Sequence, residues 1–315
     1  MGAIGIGPSL ALRQRGWVRG FDFSGGAMPP GAALTRASSG SRWTTQGVLT
    51  SEAADVARFD HHPVTGARRG LLIEGGQTNM LSRSGALASA PWTVASAVLT
   101  EGQASPDGAN AATLMNDAAG AAYGQVWQGL AATSGVVCLS AYLRKDAVGK
   151  ATRFALLRFG GTIDLGVDTA TGEVADVRGN ATGHGVEDCG AWWRVWIATG
   201  TSVNSVTLHP ACGAGAMATT SYSSAVTGAA IIWGVQVEAR ATPSSYVASG
   251  ASAAARAADM LTLNWGMHGV ADGATTIRFT FDDLSSQDVA ATIAGGVAVV
   301  PTTLARPWLR AAQIV

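Results

Sequence analysis

Residues 231–238 read IIWGVQVE, in which Ile231, Trp233, Val235 and Val237 alternate with Ile232, Gly234, Gln236 and Glu238. A strand turns successive side chains to opposite faces, so this period of two predicts a buried face carrying the first set. Residues 137–145 repeat the pattern, with Val137, Leu139, Ala141 and Leu143 facing inward and Cys138, Ser140, Tyr142 and Arg144 on the other face. Shorter strand-like runs at 153–159, 163–167, 192–197 and 203–208 are separated by turn formers such as Pro106-Asp107-Gly108 and Thr171-Gly172-Glu173. Glycine and β-branched residues interrupt most helical windows, and only 251–261 has helix-favouring content, short enough for a linker turn. Many short strands at this spacing predict an all-β sandwich or barrel.

Composition narrows the classes further. At 315 residues and 47% hydrophobic content, the chain can bury one large domain with smaller flanking modules. Charged side chains make up only 13%, about half the usual share, so small polar residues, turns or neighbouring subunits must cover the surface. Lys plus Arg and Asp plus Glu balance at 21 each, leaving no net field to gather nucleic acid or an anionic membrane. Cys138, Cys189 and Cys212 form no C-x-x-C pair and sit in apolar or Gly-rich surroundings, as small core residues of a reduced compartment would. The apolar stretch 3–12 holds Gly5, Gly7 and Pro8 and lacks a preceding basic region, a poor match to a signal peptide. No window supplies the roughly 18 apolar residues of a spanning helix, so a soluble chain made in a cytoplasm is expected.

Four segments follow. Residues 1–34, rich in Gly and Pro around Met28-Pro29-Pro30-Gly31, read as an extended arm that a partner must order. Residues 35–90 form a connector, 91–259 the sandwich, and 260–315 a small β module of about two hairpins, marked by alternation at 276–281 and by turns at 271–273 and 295–296.

Several blocks are similar to a recurrent set of phage and prophage virion proteins, the tail-fibre and head-spike components that include the head spikes of gene transfer agents. In the connector they are TRAS at 35–38, RFD at 58–60, PVTG at 63–66, GLLIE at 70–74 and TN at 78–79. In the sandwich they are PWT at 91–93, SPDG at 105–108, WWRV at 192–195, WGVQVE at 233–238, SY at 245–246 and RAAD at 256–259. A last set runs from Asp272-Gly273 through TFDD at 280–283 to LARPW at 304–308. One departure stands out. An E-x-x-R-T-N block common in the family reads EGGQTN at 74–79, which removes the Arg and any ion pair it would bring. The resemblance implies a jelly-roll sandwich of carbohydrate-binding type, a place in a virion assembled in the host cytoplasm, and no catalysis. It also allows a structural calcium, although no Asp-rich loop marks one.

Catalytic and metal-binding patterns are weak beside this. Asp60-His61-His62 is the one cluster of His with carboxylate, but neighbours on a strand point apart, and a turn into Pro63 with Asp60 bonding backbone accounts for it. There is no G-x-S-x-G elbow and no Walker loop, and the GAIGIG string at 2–7 precedes any predicted strand. Asp282 and Asp283 are adjacent rather than opposed across a cleft, as a glycosidase pair would be. The aromatic content points elsewhere: 10 Trp against 4 Tyr and 7 Phe suits a surface that stacks indoles on pyranose rings. Trp192, Arg194 and Trp196 share one face, opposite Trp193, Val195 and Ile197, and core packing is favoured over ligand stacking for any one of these Trp.

The candidate glycan platform is therefore the non-core face bearing Tyr142, Arg144 and Gln236, extended by Gln125 and Trp127. A solvated or subunit-contacting sheet face accounts for the same residues equally well. Expected partners are host capsular or surface polysaccharide, capsid or tail proteins of the particle, and further copies of the chain in a trimer or pentamer. A structural adaptor to a separate receptor-binding chain, or a capsule depolymerase, are the alternatives.

Overall fold

The computed structural model describes residues 20–118, 123–145, 154–213 and 226–315. Among them the fold is all-β, with no α-helix and one 3-10 turn at Trp265–His268. Among the described residues no helix is long and apolar enough to cross a membrane.

Strands are numbered in chain order. One six-stranded antiparallel sheet holds β9 (Val98–Gln103), β10 (Ala112–Asp117), β12 (Val137–Arg144), β16 (Gly183–Asp188), β17 (Trp192–Thr199) and β19 (Gly228–Glu238), in the order β16-β17-β12-β19-β10-β9. A second holds β8 (Thr93–Ala95), β11 (Gln125–Gly129), β13 (Phe154–Phe159), β14 (Ile163–Asp168), β15 (Val174–Asp176) and β18 (Ser205–His209), in the order β15-β14-β13-β18-β11-β8. The chain passes back and forth between the two sheets of this sandwich, and β10 pairs with β19 while β11 pairs with β18. One core unites them: Val137, Leu139, Ala141 and Leu143 meet Val195 and Ile197 from the first sheet and Leu157, Leu165 and Leu208 from the second. The alternation of β12 thus places its inward set as the sequence predicts; on β17, where alternation alone leaves the inward face open, Val195 and Ile197 face this core with Trp193 packed against it, and Trp192 is buried on the opposite face.

Strand β19 departs from the expected phase. Ala230, Ile232, Val235 and Val237 face the sandwich core, whereas Ile231 and Trp233 face the other way. Gly234, at φ +63°, lies where the β12–β19 register slips, and this bulge swaps the two faces mid-strand.

The remaining strands correct the expected segmentation. Strands β22 (Gly273–Phe281), β23 (Ser286–Ile293) and β25 (Trp308–Ile314) are joined by β5 (Phe59–His61) and β6 (Arg68–Leu72) in the order β23-β22-β25-β6-β5, and β1 (Gly20–Asp22) also pairs with β25. A three-stranded sheet sets β21 (Met260–Asn264) between β2 (Ala32–Thr35) and β24 (Val297–Val300). The two sheets enclose a core of Phe21, Phe23, Leu71, Leu261, Trp265, Phe279 and Val300. Residues 260–315 are therefore no free-standing pair of hairpins, and the described part of the expected arm is no free arm. Phe21 and Phe23 bury it between strands contributed by the far end of the chain. Its Pro-Pro-Gly segment makes the turn between β1 and β2, with Ala32 donating to the Pro29 carbonyl; residues 1–19 lie outside the described set.

The connector is likewise shared. Strand β3 (Gly40–Trp43) pairs with β4 (Leu49–Glu52), β7 (Gln77–Asn79) pairs with β20 (Ala254–Arg256), and Leu81 and Leu87 enter the sandwich core. The short strand β20 also occupies the stretch whose composition favours helix. All three cysteines are buried and unpaired, as expected of small core residues.

A Cβ at Gly234 would stand 3.0 Å from the Tyr142 ring and 3.3 Å from that of Tyr246, on a left-handed backbone. Gly102 has the same backbone sign, φ +83°, with nothing within 4 Å. Urea unfolding of Gly102→Ala should therefore report about 1 kcal/mol from backbone strain alone, and Gly234→Ala about 2–4 kcal/mol. Equal losses would mean that the bulge is not packed as described.

Candidate functional site

The five residues expected to form one platform divide between two sheets. Tyr142 is 1% exposed and Gln236 0% exposed, so neither offers an open stacking or bonding surface. Their face of the first sheet is covered: Trp43 and Leu49 from the β3–β4 pair, with Tyr246, pack onto Tyr142, Trp192, Ile231 and Trp233 as a second apolar layer. The Tyr142 ring lies 5.5 Å from Trp233 and 6.2 Å from Trp43, and the Gln236 amide oxygen accepts from the Val247 backbone at 2.6 Å. Arg144 is half-buried at the end of β12, opposite Trp192. Gln125 and Trp127 belong to β11 in the second sheet, so they cannot extend a platform on the first.

Trp127 nevertheless stands on open ground at 39% exposure. Its register partners are Thr93 on β8 and Thr207 on β18, Thr207 is opposite Arg158 on β13, and Arg158 is opposite Asp164 on β14. These residues form a row across five strands, with Trp127 about 10 Å from Arg158 at the usual strand spacing. Asp164 holds Arg158 with two bonds of 2.8 and 3.1 Å and receives Arg178 at 2.5 Å, which fixes the guanidinium plane. Gln125, half-buried, shares the face with Trp127 one period along. Residues of this kind in a line can lay an indole under a sugar ring and bond its hydroxyls. Arg158, Thr207 and Asp164 escaped the sequence reading because only the register brings them beside Trp127.

A second feature lies on the other side of the sandwich, where the connector, the first sheet and the C-terminal strands meet. A cleft of about 320 Å³ is walled by Trp43, Tyr142, Arg194, Tyr246, Arg69 and Trp308, among others. The Arg69 guanidinium sits 4.4 Å from the Trp308 ring centroid and pairs with Glu187 at 3.0 Å. Asp60 spans the cleft wall, accepting from the Trp43 backbone at 2.6 Å and the Trp308 indole at 2.7 Å. Burial raises its pKa against those bonds and the nearby Arg69. Asp60 bonds backbone, but on a strand 17 residues away and from within β5, rather than the nearby backbone expected at a turn. Among the described residues no three His, Cys, Asp or Glu side chains are grouped to hold a metal. Asp282 is engaged by Arg306 through two bonds of 2.7 and 2.9 Å, and Asp283 by Ser285.

Behind the cleft lies a buried ionic cluster. Asp259 takes Arg36 at 3.0 Å and Arg58 at 2.6 Å; Glu74 takes Arg58 at 3.0 Å and Arg256 at 3.5 Å. Glu74 also accepts from the Ser245 backbone and hydroxyl at 2.9 and 2.6 Å. Glu74 of the EGGQTN block is thus paired with Arg58 and Arg256. Burial alone would raise the Glu74 pKa, but Arg256, Arg58 and the Ser245 bonds outweigh it and bring it to about 2.

No family model matches the sequence, and no curated protein matches it.

Because the native Glu74 pKa lies below its ordinary 4.5, its contribution is complete above pH 4.5 and lost as pH falls towards 2. That contribution is about 3 kcal/mol, so stability in urea should fall by this much across the window, and Glu74→Gln should flatten the dependence there. Asp259→Ala, which leaves Arg36 and Arg58 buried without their carboxylate, should cost about 3–5 kcal/mol at neutral pH.

Proposed function

We propose that the chain is a virion attachment protein, of head-spike or tail-fibre kind, that holds host surface polysaccharide without cleaving it. The observation that carries this reading is the row of exposed Trp127 and half-buried Thr207 and Arg158 on the outer face of the second sheet, with the buried Asp164 holding Arg158. An exposed indole beside a fixed guanidinium, on a rigid sheet, suits a sugar chain lying across the strands. The block resemblance to phage virion proteins supports the particle assignment, and the low charge content suits a chain surrounded by neighbouring copies. Affinity per row is modest, and a symmetric trimer or pentamer compensates by presenting several rows at high effective concentration.

The test is retention of purified capsular or surface polysaccharide from candidate hosts on the full chain, with polymer length followed by size-exclusion chromatography. Retention with unchanged length is expected. Trp127→Ala should weaken it about tenfold or more, roughly 1.4 kcal/mol, without moving the melting temperature. Shortened polymer would identify a depolymerase. Failure to retain any host polysaccharide, with stable binding to a purified capsid or tail protein, would favour the adaptor.

A further inference from the structure

Two guanidinium groups of the junction cleft form no ion pair among the described residues. Arg194, on β17, is only 7% exposed. Its Nη2 donates to the Ser244 carbonyl at 2.6 Å; among the described residues its Nε has no partner and it forms no ion pair, with Glu187 and Glu238 acting on it only from a distance. The guanidinium lies 5.3 Å from the centroid of the Tyr142 ring, and the buried Tyr142 hydroxyl is unpartnered too. Arg240, half-buried on the same cleft, also forms no ion pair among the described residues.

The carboxylates nearby are committed elsewhere. Glu187, opposite Arg194 across the β16–β17 pair, binds Arg69; Glu238 is held by Ser244; Glu74 and Asp60 are engaged as described. A guanidinium taken out of water without an anion is among the costlier arrangements in a protein, whereas one beside a ligand cleft is ready for that anion. The cleft therefore offers donors from Arg194 and Arg240, while its own carboxylates are engaged.

We infer that this cleft is a second ligand site, which takes a carboxylate-bearing sugar of monosaccharide size, its carboxylate on Arg194 and Arg240. The planar fork of arginine matches a carboxylate. Three carboxylates in the walls, Asp60, Glu74 and Glu187, disfavour a dianion such as phosphate, so a monoanion fits better. Trp308, Pro243 and Pro307 line the same space and supply apolar surface for a pyranose ring. The volume lies near the lower end of the usual range for small-molecule pockets. This site is independent of the polysaccharide row, because Trp127 lies on the opposite sheet.

The test is calorimetry or saturation-transfer NMR on the full chain, with glucuronate and N-acetylneuraminate as probes, their carboxyl-reduced counterparts, and inorganic phosphate. At least one sugar acid should bind, its reduced counterpart about tenfold or more weaker, and phosphate more weakly than the acid. Arg240→Gln, at a half-buried position, should weaken the acid about tenfold while leaving Trp127-dependent polysaccharide retention unchanged. Arg194→Gln should do the same where it folds. Equal binding of acid and reduced sugar, tighter binding of phosphate, indifference to Arg240→Gln, or no binding of either acid up to about 10 mM would each overturn the site. None of these outcomes touches the polysaccharide reading, which fails only if retention fails.

Discussion

The buried ionic cluster of Asp259 and Glu74 joins four parts of the chain that are far apart in sequence. Arg36 follows β2, Arg58 precedes β5, Glu74 follows β6, and Arg256 and Asp259 lead from the sandwich into β21. The cluster thus fastens the N-terminal strands, the connector and the exit from the sandwich at one point. Three guanidinium groups against two carboxylates leave an excess positive charge, with Glu238 close enough to act on Arg256. A buried network of this kind is a weak source of net stability, since desolvation consumes most of the Coulomb gain. Its effect is on arrangement: any packing that separates one partner strands a buried charge, so competing placements of the connector are heavily penalised.

That role recasts the similar blocks. TRAS contributes Arg36, RFD contributes Arg58, GLLIE contributes Glu74, SY contributes Ser245 and RAAD contributes Arg256 and Asp259. Blocks far apart in sequence therefore serve one joint, and their charged residues are spent on architecture. Asp60, conspicuous beside two histidines, belongs to the same category, because its carboxylate ties β3 to Trp308. A resemblance built on such blocks speaks to how the chain is assembled, and the chemistry of recognition must lie on other residues.

The strands were legible wherever a local rule suffices. Period two assigns the inward set of β12 without knowing the fold, and the alternation at 276–281 becomes β22 with Ile277, Phe279 and Phe281 buried; on β17, with Trp on both faces, it cannot choose. The rule fails at Gly234, where one positive φ exchanges the faces of β19 and sends Trp233 to the opposite side from Val235. It also cannot say what covers a second face. Tyr142 and Gln236 are correctly set off from the sandwich core, yet Trp43, about a hundred positions earlier, roofs the Tyr142 side. The arm was misread for a similar reason, as Gly and Pro dominate its composition while Phe21 and Phe23, two residues in a long run, decide where it goes.

The two candidate surfaces depend on this joint to different degrees. Trp127, Thr207, Arg158 and Asp164 are neighbours within one sheet, and ladder hydrogen bonds fix their spacing whatever the connector does. The cleft takes one wall from β3, one from β17 and one from the segment before β25, so its width is set by how three pieces are fastened. Weakening the ionic cluster should loosen the cleft well before it disturbs the row. A flat row on a single sheet can vary its side chains freely without threatening the fold. The cleft cannot, since Asp60 and Trp43 serve both its walls and the packing between connector and sandwich.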